Sequence, residues 1–441
     1  MTIRIAGGQA GYGDSLEPLP ALLADGVDYL VCDALAESTL AVLSKDRRRD
    51  PALGYTRDIV DYVEAALPYL RSGRTRFLTN AGGLNPRAAA AAVTKHLAER
   101  GLHGVKIATV TGDELTSRHT VFGIPGDTEF AVCYLGARPI VAALASGAQI
   151  VITGRVADAS LFLAPLVHEF AWDLGDADRV AAGVTVGHLL ECSAQVSGSV
   201  YSGDWWTDPD PSRPGFPIAE VEADGSAVIT KPAGTGGQVT FDTVREQLMY
   251  EVHDPSRYLN PDVTADFTAV SVEPVGADRV RVSGARGTSA PPAYKGLYCE
   301  TAGWGLDFTH TYSWPDALQK AQLVAGVVQE RARRLGVEVQ DWCVEYFGAG
   351  AHHGPTAEAD LAAAYALGVE PAEIVLRVAW RCATREAAEA VGGRVGGTVP
   401  AMSTPFGRPK RRQATRLLKL TGFAADRHLV DGGVEVEYVE S

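Results

Sequence analysis

IRIAGGQAGYGDS, residues 3–15, joins a short apolar run to a glycine-rich loop and a helix start. The apolar run at residues 3–6 predicts a strand, and the Asp-Ser pair that closes the stretch is of a type that caps helices. Glycine lets a ligand approach bare backbone amides, and a helix start adds unpaired N–H groups. We therefore predict that Gly8, Gln9 and Gly11 contact an anion or a carbonyl group. The spacing does not match GxGxxG or a P-loop, and a tight turn that is merely rich in glycine is the alternative.

The pattern of an apolar run followed by a polar turn recurs through the first 154 residues. Longer helical stretches separate the runs, as in βα units that build a parallel sheet. The five predicted strands cover residues 3–6, 29–32, 76–79, 106–110 and 149–153. The sequence therefore predicts an α/β fold.

The turns after these five strands carry many polar side chains. In parallel α/β sheets, ligands bind beyond the carboxyl ends of the strands, where successive loops converge. The polar residues in question are Gln9, Asp33, Glu37, Asn80, Asn85, Asp113, Arg155 and Asp158. We therefore predict a polar pocket at this edge of the sheet.

Two groups in this predicted pocket suit acid–base chemistry at a carbonyl. A carboxyl group, Asp33 or Asp158, is the candidate general acid–base. Asn80 and the backbone amides of Gly82 and Gly83 are candidates for holding an oxyanion or a carboxylate.

A second glycine-rich segment follows a predicted hairpin, whose strands cover residues 215–221 and 227–230. Lys231 stands directly before this segment, and a lysine beside bare amides suits a carboxylate, a phosphate or an enolate oxygen. We predict that Lys231 and Gly236 contact the substrate, and that Arg155 or Lys231 supplies the counter-charge. An exposed lysine at the end of a hairpin is the alternative.

Histidines occur in two patterns that invite a metal interpretation. His188 and Glu191 lie three residues apart, so they share a face of a helix, but no third ligand is suggested nearby. We interpret them as a hydrogen-bonded pair that lines a pocket or an interface, with Glu191 among the candidate catalytic residues. The neighbours His352 and His353 usually point apart as consecutive residues, and no metal site is predicted.

A proline-rich passage at residues 253–262 predicts a domain junction. Beyond it the pattern changes to alternating strands and one long amphipathic helix, which is typical of an α+β lobe. Its predicted strands cover residues 269–275, 279–283, 337–347 and 374–379, and its helix covers residues 317–335. We therefore predict an α/β lobe at residues 1–262 and a smaller α+β lobe at residues 263–441, the latter contributing to the pocket or to the interface of a homo-oligomer.

Composition limits the partners of the chain. The net charge of −14 argues against nucleic acid, whose phosphates require a positive surface. The basic cluster at residues 408–412 is either a solvated loop or a pocket edge that meets a phosphorylated ligand. No stretch has the roughly 18 apolar residues of a membrane span, and no signal peptide is visible at the start. The six cysteines form no CxxC pair, so we expect a cytoplasmic protein with reduced thiols.

Several motifs together resemble those of one family. They are NAGGLNP at residues 80–86, GRVADA at 154–159, HLLEC at 188–192, GFP at 215–217, TKPAGTGG at 230–237 and HDP at 253–255. With these motifs the chain resembles the AtuA-like family, named for acyclic terpene utilisation, over almost its whole length, as far as residues 407–409. The family takes its name from bacterial gene clusters that degrade citronellol and geraniol through branched acyl-CoA thioesters. The resemblance therefore implies a context of acyl or carboxylic metabolites, and it assigns no catalytic residue.

These observations favour a lyase of the hydratase or dehydratase type that acts on a small carboxylic acid or its CoA thioester. Carboxyl groups, amides and a cation suit proton transfer next to a carbonyl, whereas a redox cysteine pair and a Walker lysine are absent from the sequence. Coenzyme A enters only as part of the substrate, and no other cofactor is implied. A nucleotide-dependent ligase or transferase, with phosphate held by the two glycine-rich segments, is one alternative. A non-catalytic subunit of an acyl-metabolising complex is the other.

Overall fold

The structure is a computed structural model that describes residues 1–352, 363–395 and 413–441. It divides into two compact units, one formed by Met1–Cys299 with Leu420–Ser441 and the other by Glu300–Lys419. The predicted lobe boundary at residue 262 lies inside the first unit. His353 and the basic cluster at residues 408–412 lie outside the described residues.

Strands and helices alternate through the first half of the described chain. The strands are β1 (Thr2–Gln9), β2 (Tyr29–Cys32), β3 (Arg76–Thr79), β4 (Lys106–Thr111), β5 (Phe130–Cys133), β6 (Ile150–Thr153), β7 (Ile218–Glu222), β8 (Ala227–Thr230), β9 (Tyr258–Asn260), β10 (Val263–Asp266), β11 (Ser271–Gly276), β12 (Arg279–Ser283), β13 (Arg286–Thr288), β14 (Ala293–Ser313), β15 (Asp341–Phe347), β16 (Glu373–Cys382), β17 (Thr415–Asp426) and β18 (Glu435–Glu440). The α-helices are α1 (Leu19–Ala24), α2 (Glu37–Arg49), α3 (Ile59–Arg71), α4 (Pro86–Glu99), α5 (Arg138–Ala145), α6 (Asp158–Phe170), α7 (Ala177–Glu191), α8 (Phe241–Met249), α9 (Ala317–Arg334), α10 (Arg385–Ala390) and α11 (Arg427–Asp431). Among the helices described here, none is both long and apolar enough to cross a membrane.

A large mixed sheet forms the centre of the first unit. Its strand order is β11-β12-β8-β7-β1-β2-β3-β6-β4-β18. The five central strands, β1, β2, β3, β6 and β4, pair in parallel. They are the five strands predicted from the apolar runs, so the α/β fold class is confirmed. The predicted hairpin is also confirmed, since β7 and β8 pair antiparallel beside β1.

Helices cover both faces of the parallel strands. Alternate residues of each strand point to opposite faces, so Ile5 and Val31 join one buried cluster while Ala6 and Leu30 join the other. The first cluster includes the apolar sides of α5, α6 and α7, and the second includes those of α1, α3 and α4. Burial on both faces explains why these strands read as continuous apolar runs.

The glycine-rich stretch begins as strand, which corrects the sequence prediction. β1 continues to Gln9, so Gly7 and Gly8 are buried strand residues and not part of a loop. A Cβ atom on Gly7 would lie 2.5 Å from the carbonyl oxygen of Leu190, and one on Gly8 would lie 2.5 Å from Leu30 Cδ1. The two glycines therefore allow close packing of α7 and β2 against β1. The following helix, α1, begins only at Leu19.

Four strands differ from the predicted organisation. β11 and β12 were assigned to a second lobe, but β12 pairs with β8 and so extends the large sheet. The C-terminal strand β18 closes the other edge by pairing antiparallel with β4. β5 was not predicted, and it pairs antiparallel with residues 296–299 of β14.

The second unit contains a sheet in which β16 is paired with β14 and with β15. The amphipathic helix α9 packs its apolar side against this sheet, with Leu318 and Val324 in the same buried cluster as Leu376 and Val378 of β16. The predicted strand at residues 374–379 and the predicted long helix are confirmed here, and the strand predicted at residues 337–347 is observed from Asp341 to Phe347.

Candidate active site

The register of the sheet aligns the ends of the parallel strands. Cys32 pairs with Thr79, and Thr79 pairs with Ile152 on the next strand. The residues that follow β2, β3 and β6 therefore leave the sheet side by side. This brings Asp33 next to Asn80, as predicted for the loops at this edge.

Asp33 is held by two hydrogen bonds to one of its oxygens. Oδ1 accepts from Nδ2 of Asn80 at 2.6 Å and from the backbone N–H of Leu35 at 3.2 Å. Asn80 in turn accepts from the backbone N–H of Ala34 at 2.7 Å, so the amide fixes both the carboxyl group and its loop. Oδ2 of Asp33 accepts no hydrogen bond from any residue that the structure describes. One carboxyl oxygen is thus fixed, and the other keeps its hydrogen-bonding capacity unused within the described ranges.

Burial raises the pKa of Asp33 above its ordinary value, because removal from water disfavours the charged form. The residue is only 6% exposed. The nearby guanidinium of Arg155 and the hydrogen bonds from Asn80 and Leu35 oppose this rise without cancelling it. Asp33 is therefore a carboxyl group that retains its proton more readily than a surface aspartate does.

The guanidinium of Arg155 is 1% exposed and is bound almost entirely by protein oxygens. Nε and Nη2 donate to the carbonyl oxygen of Val156 at 2.8 and 2.6 Å, and Nη1 donates to the carbonyl oxygen of Leu35 at 2.8 Å. Nη2 also donates to the Asp158 carboxylate. Four of the five N–H donors are thereby used. Arg155 ties the loops after β2 and β6 together and leaves little hydrogen-bonding capacity for a substrate.

Asp158 differs from Asp33 in its surroundings. It is the first residue of α6, its side chain is 35% exposed, and its carboxylate is paired with Arg155. Of the two candidate acid–base residues, Asp33 is therefore the one that is buried with its pKa raised by burial, whereas Asp158 is partly exposed and paired with Arg155.

Asp113, after β4, is a second buried carboxyl group at this edge. Burial raises its pKa to about 7, although its Oδ2 accepts a hydrogen bond from the backbone N–H of Arg155 at 2.7 Å. The carboxyl group fills the space where Gly154 would carry a Cβ atom. Asp113 therefore holds the turn after β6 in place.

The predicted pair of His188 and Glu191 is present at the end of α7, with His188 Nδ1 2.8 Å from Glu191 Oε1. The imidazole packs against the rings of Tyr258 and Phe267, at centroid distances of 5.1 and 5.4 Å, and Nε2 has no hydrogen-bond partner among the described residues. Burial raises the pKa of Glu191, the neighbouring His188 lowers it, and the negative charge of Asp33 raises it further. The charge state of Asp33 therefore affects the pKa of Glu191. Across the described ranges, no group of three or more His, Cys, Asp or Glu residues could hold a metal ion.

The predicted amide donors of the first loops are largely occupied by the protein itself. Nε2 of Gln9 donates to the carbonyl oxygen of Gly11 at 2.9 Å and to Asp58 at 3.0 Å. The backbone N–H of Gly83 donates to the carbonyl oxygen of Asn80 at 3.0 Å. A Cβ atom on Gly82 would lie 2.5 Å from the carbonyl oxygen of Thr153, so glycine is needed there for packing between the loops after β3 and β6.

Lys231 and Gly236 have their contacts in a different part of the same edge. β8 runs parallel to β1 and is separated from it by β7, so Lys231 leaves the sheet two strands away from Gln9. Its Nζ donates to the carbonyl oxygen of Thr235 at 2.8 Å and lies 3.3 Å from Asp278 Oδ2. The backbone N–H of Gly236 donates to the carbonyl oxygen of Arg213 at 2.7 Å.

Sequence reasoning gave no role to Tyr134 or Lys295. The Tyr134 hydroxyl donates to Glu37 Oε1 at 2.7 Å, and Lys295 Nζ lies 3.1 Å from the same oxygen. Tyr134 directly follows β5, a strand that was not predicted, and Lys295 lies on its partner β14. The apolar run at residues 130–135 is the local signal that could have located β5, whereas its pairing with β14 has no local signal.

Comparison with known proteins identifies one family. The family model described as "Acyclic terpene utilisation family protein AtuA" matches residues 3–435. No curated protein and no solved structure gives a significant match.

Proposed function

The chain belongs to the acyclic terpene utilisation family AtuA, and we propose that it is a hydro-lyase that adds water to, or removes water from, a small carboxylic acid or acyl thioester. The observation that supports this proposal most directly is the buried carboxyl group of Asp33. One of its oxygens is fixed by Asn80 and Leu35, and the other has no partner among the described residues. Such a group is suited to exchange a proton with a bound substrate.

In the dehydration direction, one group removes a proton from the carbon next to the carbonyl and another gives a proton to the departing hydroxyl. The C–O bond breaks, a C=C bond forms and water leaves. We assign the proton donor to Asp33, whose protonated form is favoured by burial. We assign the role of proton acceptor to Glu191, because the negative charge of Asp33 raises the pKa of its carboxyl group. Glu191 ends the step protonated and Asp33 ends it ionised, and a proton passing from one to the other restores the enzyme.

The developing charge on the carbonyl oxygen requires a donor. Asn80 uses one hydrogen of its side-chain amide on Asp33, and the second hydrogen, which has no acceptor among the described residues, is assigned this role. The adjacent positive charge of Arg155 further favours a negative oxygen in this place.

The nucleotide-dependent alternative receives less support. It requires a lysine that is free to bind phosphate beside the second glycine-rich segment. Lys231 is 3% exposed, and its ammonium group is held by Thr235 and Asp278. The hydro-lyase proposal uses neither Lys231 nor Gly236.

A mass-spectrometric assay tests the proposal. The purified protein is incubated with a panel of 3-hydroxyacyl and enoyl compounds, each as the free acid and as the CoA thioester. We expect at least one substrate to gain or lose one water, and we expect Asp33→Asn to abolish this change while Asp158→Asn retains it. Failure across the panel, or full activity of a folded Asp33→Asn variant, would contradict the proposal.

A further inference from the structure

The ring of Tyr134 contacts both the buried Arg155, near Asp33, and the exposed Lys295. Tyr134 is itself buried, and its ring centroid lies 4.5 Å from the guanidinium carbon of Arg155. Nζ of Lys295 lies 4.4 Å from the same centroid. Arg155 is also bonded to the carbonyl oxygen of Leu35, two residues beyond Asp33. The aromatic ring therefore connects the Asp33 loop with a lysine at the surface.

The three cations Arg155, Lys231 and Lys295 differ in what they can still bind. Arg155 is buried with most of its donors on protein oxygens, and Lys231 is buried against Thr235 and Asp278. The Lys295 side chain is 61% exposed, and within the described part of the chain its ammonium group has Glu37 as its one hydrogen-bond acceptor. An ammonium group carries three donors. Of these three, Lys295 is therefore the cation that has donors without acceptors among the described residues and is open to an incoming anion.

The chain limits how far this lysine is from Asp33. Glu37, which contacts Lys295, is four residues beyond Asp33, so the Cα atoms of Asp33 and Glu37 lie at most about 14 Å apart. An acyl compound that spans this segment places its reacting carbon at Asp33 and an anionic group near Lys295.

We propose that Lys295 binds the anionic group of the substrate, a carboxylate or a phosphate, at the surface end of the Tyr134 ring and so orients the reacting carbon toward Asp33. This inference rests on the proposed function. It adds a second counter-charge to that of Arg155 at the carbonyl oxygen, at a residue that the sequence did not suggest, and it gives no such role to Lys231. Tyr134 supports the ammonium group from one side, and the anion approaches from the solvent.

The proposal has a second testable consequence, which concerns Glu37. Its carboxylate accepts hydrogen bonds from Tyr134 and Lys295. Burial raises its pKa, but the bond from Tyr134 and the charge of Lys295 lower it to about 2, so Glu37 is ionised at neutral pH. An incoming anion meets this negative charge. Glu37→Gln should therefore strengthen anion binding, whereas a lysine that only pairs with Glu37 for structural reasons predicts no such gain.

Calorimetric titration with two anionic probes tests the inference without turnover. Crotonate carries a carboxylate, coenzyme A carries phosphates, and crotonamide is the neutral control. We expect Lys295→Ala to bind at least one anionic probe about tenfold more weakly, because a charge-assisted hydrogen bond is lost. Lys295→Arg should stay within about threefold of wild type, and Glu37→Gln should bind more tightly. Lys95→Ala, at an exposed lysine on α4, is the matched control and should change nothing.

The two probes distinguish the source of the anion. Loss of crotonate binding alone assigns a carboxylate to Lys295, and loss of coenzyme A binding alone assigns a phosphate. Wild-type protein that binds neither probe, or Lys295→Ala protein that binds both as wild type does, overturns the inference. Thermal unfolding of Lys295→Ala beside Lys95→Ala shows whether the variant is folded. Lysine-dependent anion binding without any water addition in the substrate panel would refute the hydro-lyase proposal while leaving this binding site in place.

Discussion

The loop after β2 and the loop after β8 leave the same edge of the sheet, and both were predicted to contact substrate. In the first, Asp33 uses one oxygen on Asn80 and Leu35 and keeps the other without a partner among the described residues. In the second, Lys231 donates to Thr235 and pairs with Asp278. The residue types in the two loops are equally suited to chemistry. The difference lies in the hydrogen-bonding capacity that the fold leaves unused, and this favours the first loop as the reactive one.

The largest expected effect is a loss of activity when the loop after β2 is mutated, with little loss when the loop after β8 is mutated. Asp33→Asn keeps the shape of the side chain and its bond to Asn80 but removes the exchangeable proton. We expect the turnover rate to fall by about 10²–10⁴-fold, the range typical of a lost general acid–base. Lys231→Met should change the rate by less than about threefold. Steady-state kinetics on the substrate identified by the water-addition assay measures both, and equal losses in the two variants would contradict the distinction.

The next prediction concerns Asp113, which shares burial with Asp33. Its folded-state pKa is about 7, whereas an unfolded aspartate titrates near about 3.9. Between these pH values the folded state binds more protons, so the stability that the neutral carboxyl group contributes is present below about pH 4 and is lost as the pH rises to 7. Relative to Asp113→Asn, the wild-type free energy of unfolding should fall by up to about 4 kcal/mol from pH 4 to pH 8. Urea unfolding at a series of pH values measures this difference, and parallel pH curves would refute it.

A smaller effect is expected when the second loop loses its lysine. Lys231→Met leaves the carbonyl oxygen of Thr235 and the carboxylate of Asp278 without their buried donor. We expect the free energy of unfolding to fall by about 1–3 kcal/mol, the cost of leaving such groups unsatisfied. Lys95→Met on exposed α4 is the matched control for urea unfolding. Unchanged stability together with a large loss of activity would return Lys231 to the active site.

The smallest effect concerns the exposed partner of this lysine. Asp278→Asn weakens the ion pair with Lys231 but keeps an oxygen that accepts from the backbone N–H of Val239. Because the Asp278 side chain is 41% exposed, solvent screens its charge, and we expect a loss of about 0.2–1 kcal/mol although Lys231 is buried. Thermal unfolding of the variant beside wild type provides the measurement. A loss as large as that of Lys231→Met would mean that the ion pair, and not the bond to Thr235, holds the loop.

Much of the central sheet could be predicted because its signal is local. Strands that are buried on both faces read as apolar runs, so β2 and β3 were located at their observed residues. β14 lacks such a run, since glycine and polar residues interrupt it, and its partners lie far away in the sequence. The pairing of β12 with β8 likewise depends on contacts that no local pattern records. These strands could not be placed without the structure.

The residues of the candidate site likewise include some whose proximity could be predicted and some whose proximity could not. Asp33 and Asn80 follow neighbouring parallel strands, so their proximity follows from the strand pattern. Lys295 reaches Tyr134 only through the pairing of β5 with β14, which joins residues about 160 positions apart in the chain. Gly8 shows a second reason why a prediction can fail. A glycine leaves room beside the backbone either for a ligand or for a neighbouring side chain, and the sequence does not distinguish the two. The structure places Leu30 at that position.

The central claim is that Asp33 is a carboxyl group whose pKa is raised by burial and whose second oxygen has no partner among the described residues. Carbon-13 NMR titration of the aspartate side chains, in wild type and in Asp33→Asn, tests it without knowledge of the substrate. The account predicts a resonance that titrates above the ordinary aspartate value of about 3.9 and is absent from the Asp33→Asn spectrum. If the resonance missing from that variant titrates at or below the ordinary value, Asp33 is an ordinary ionised carboxylate and the account is contradicted.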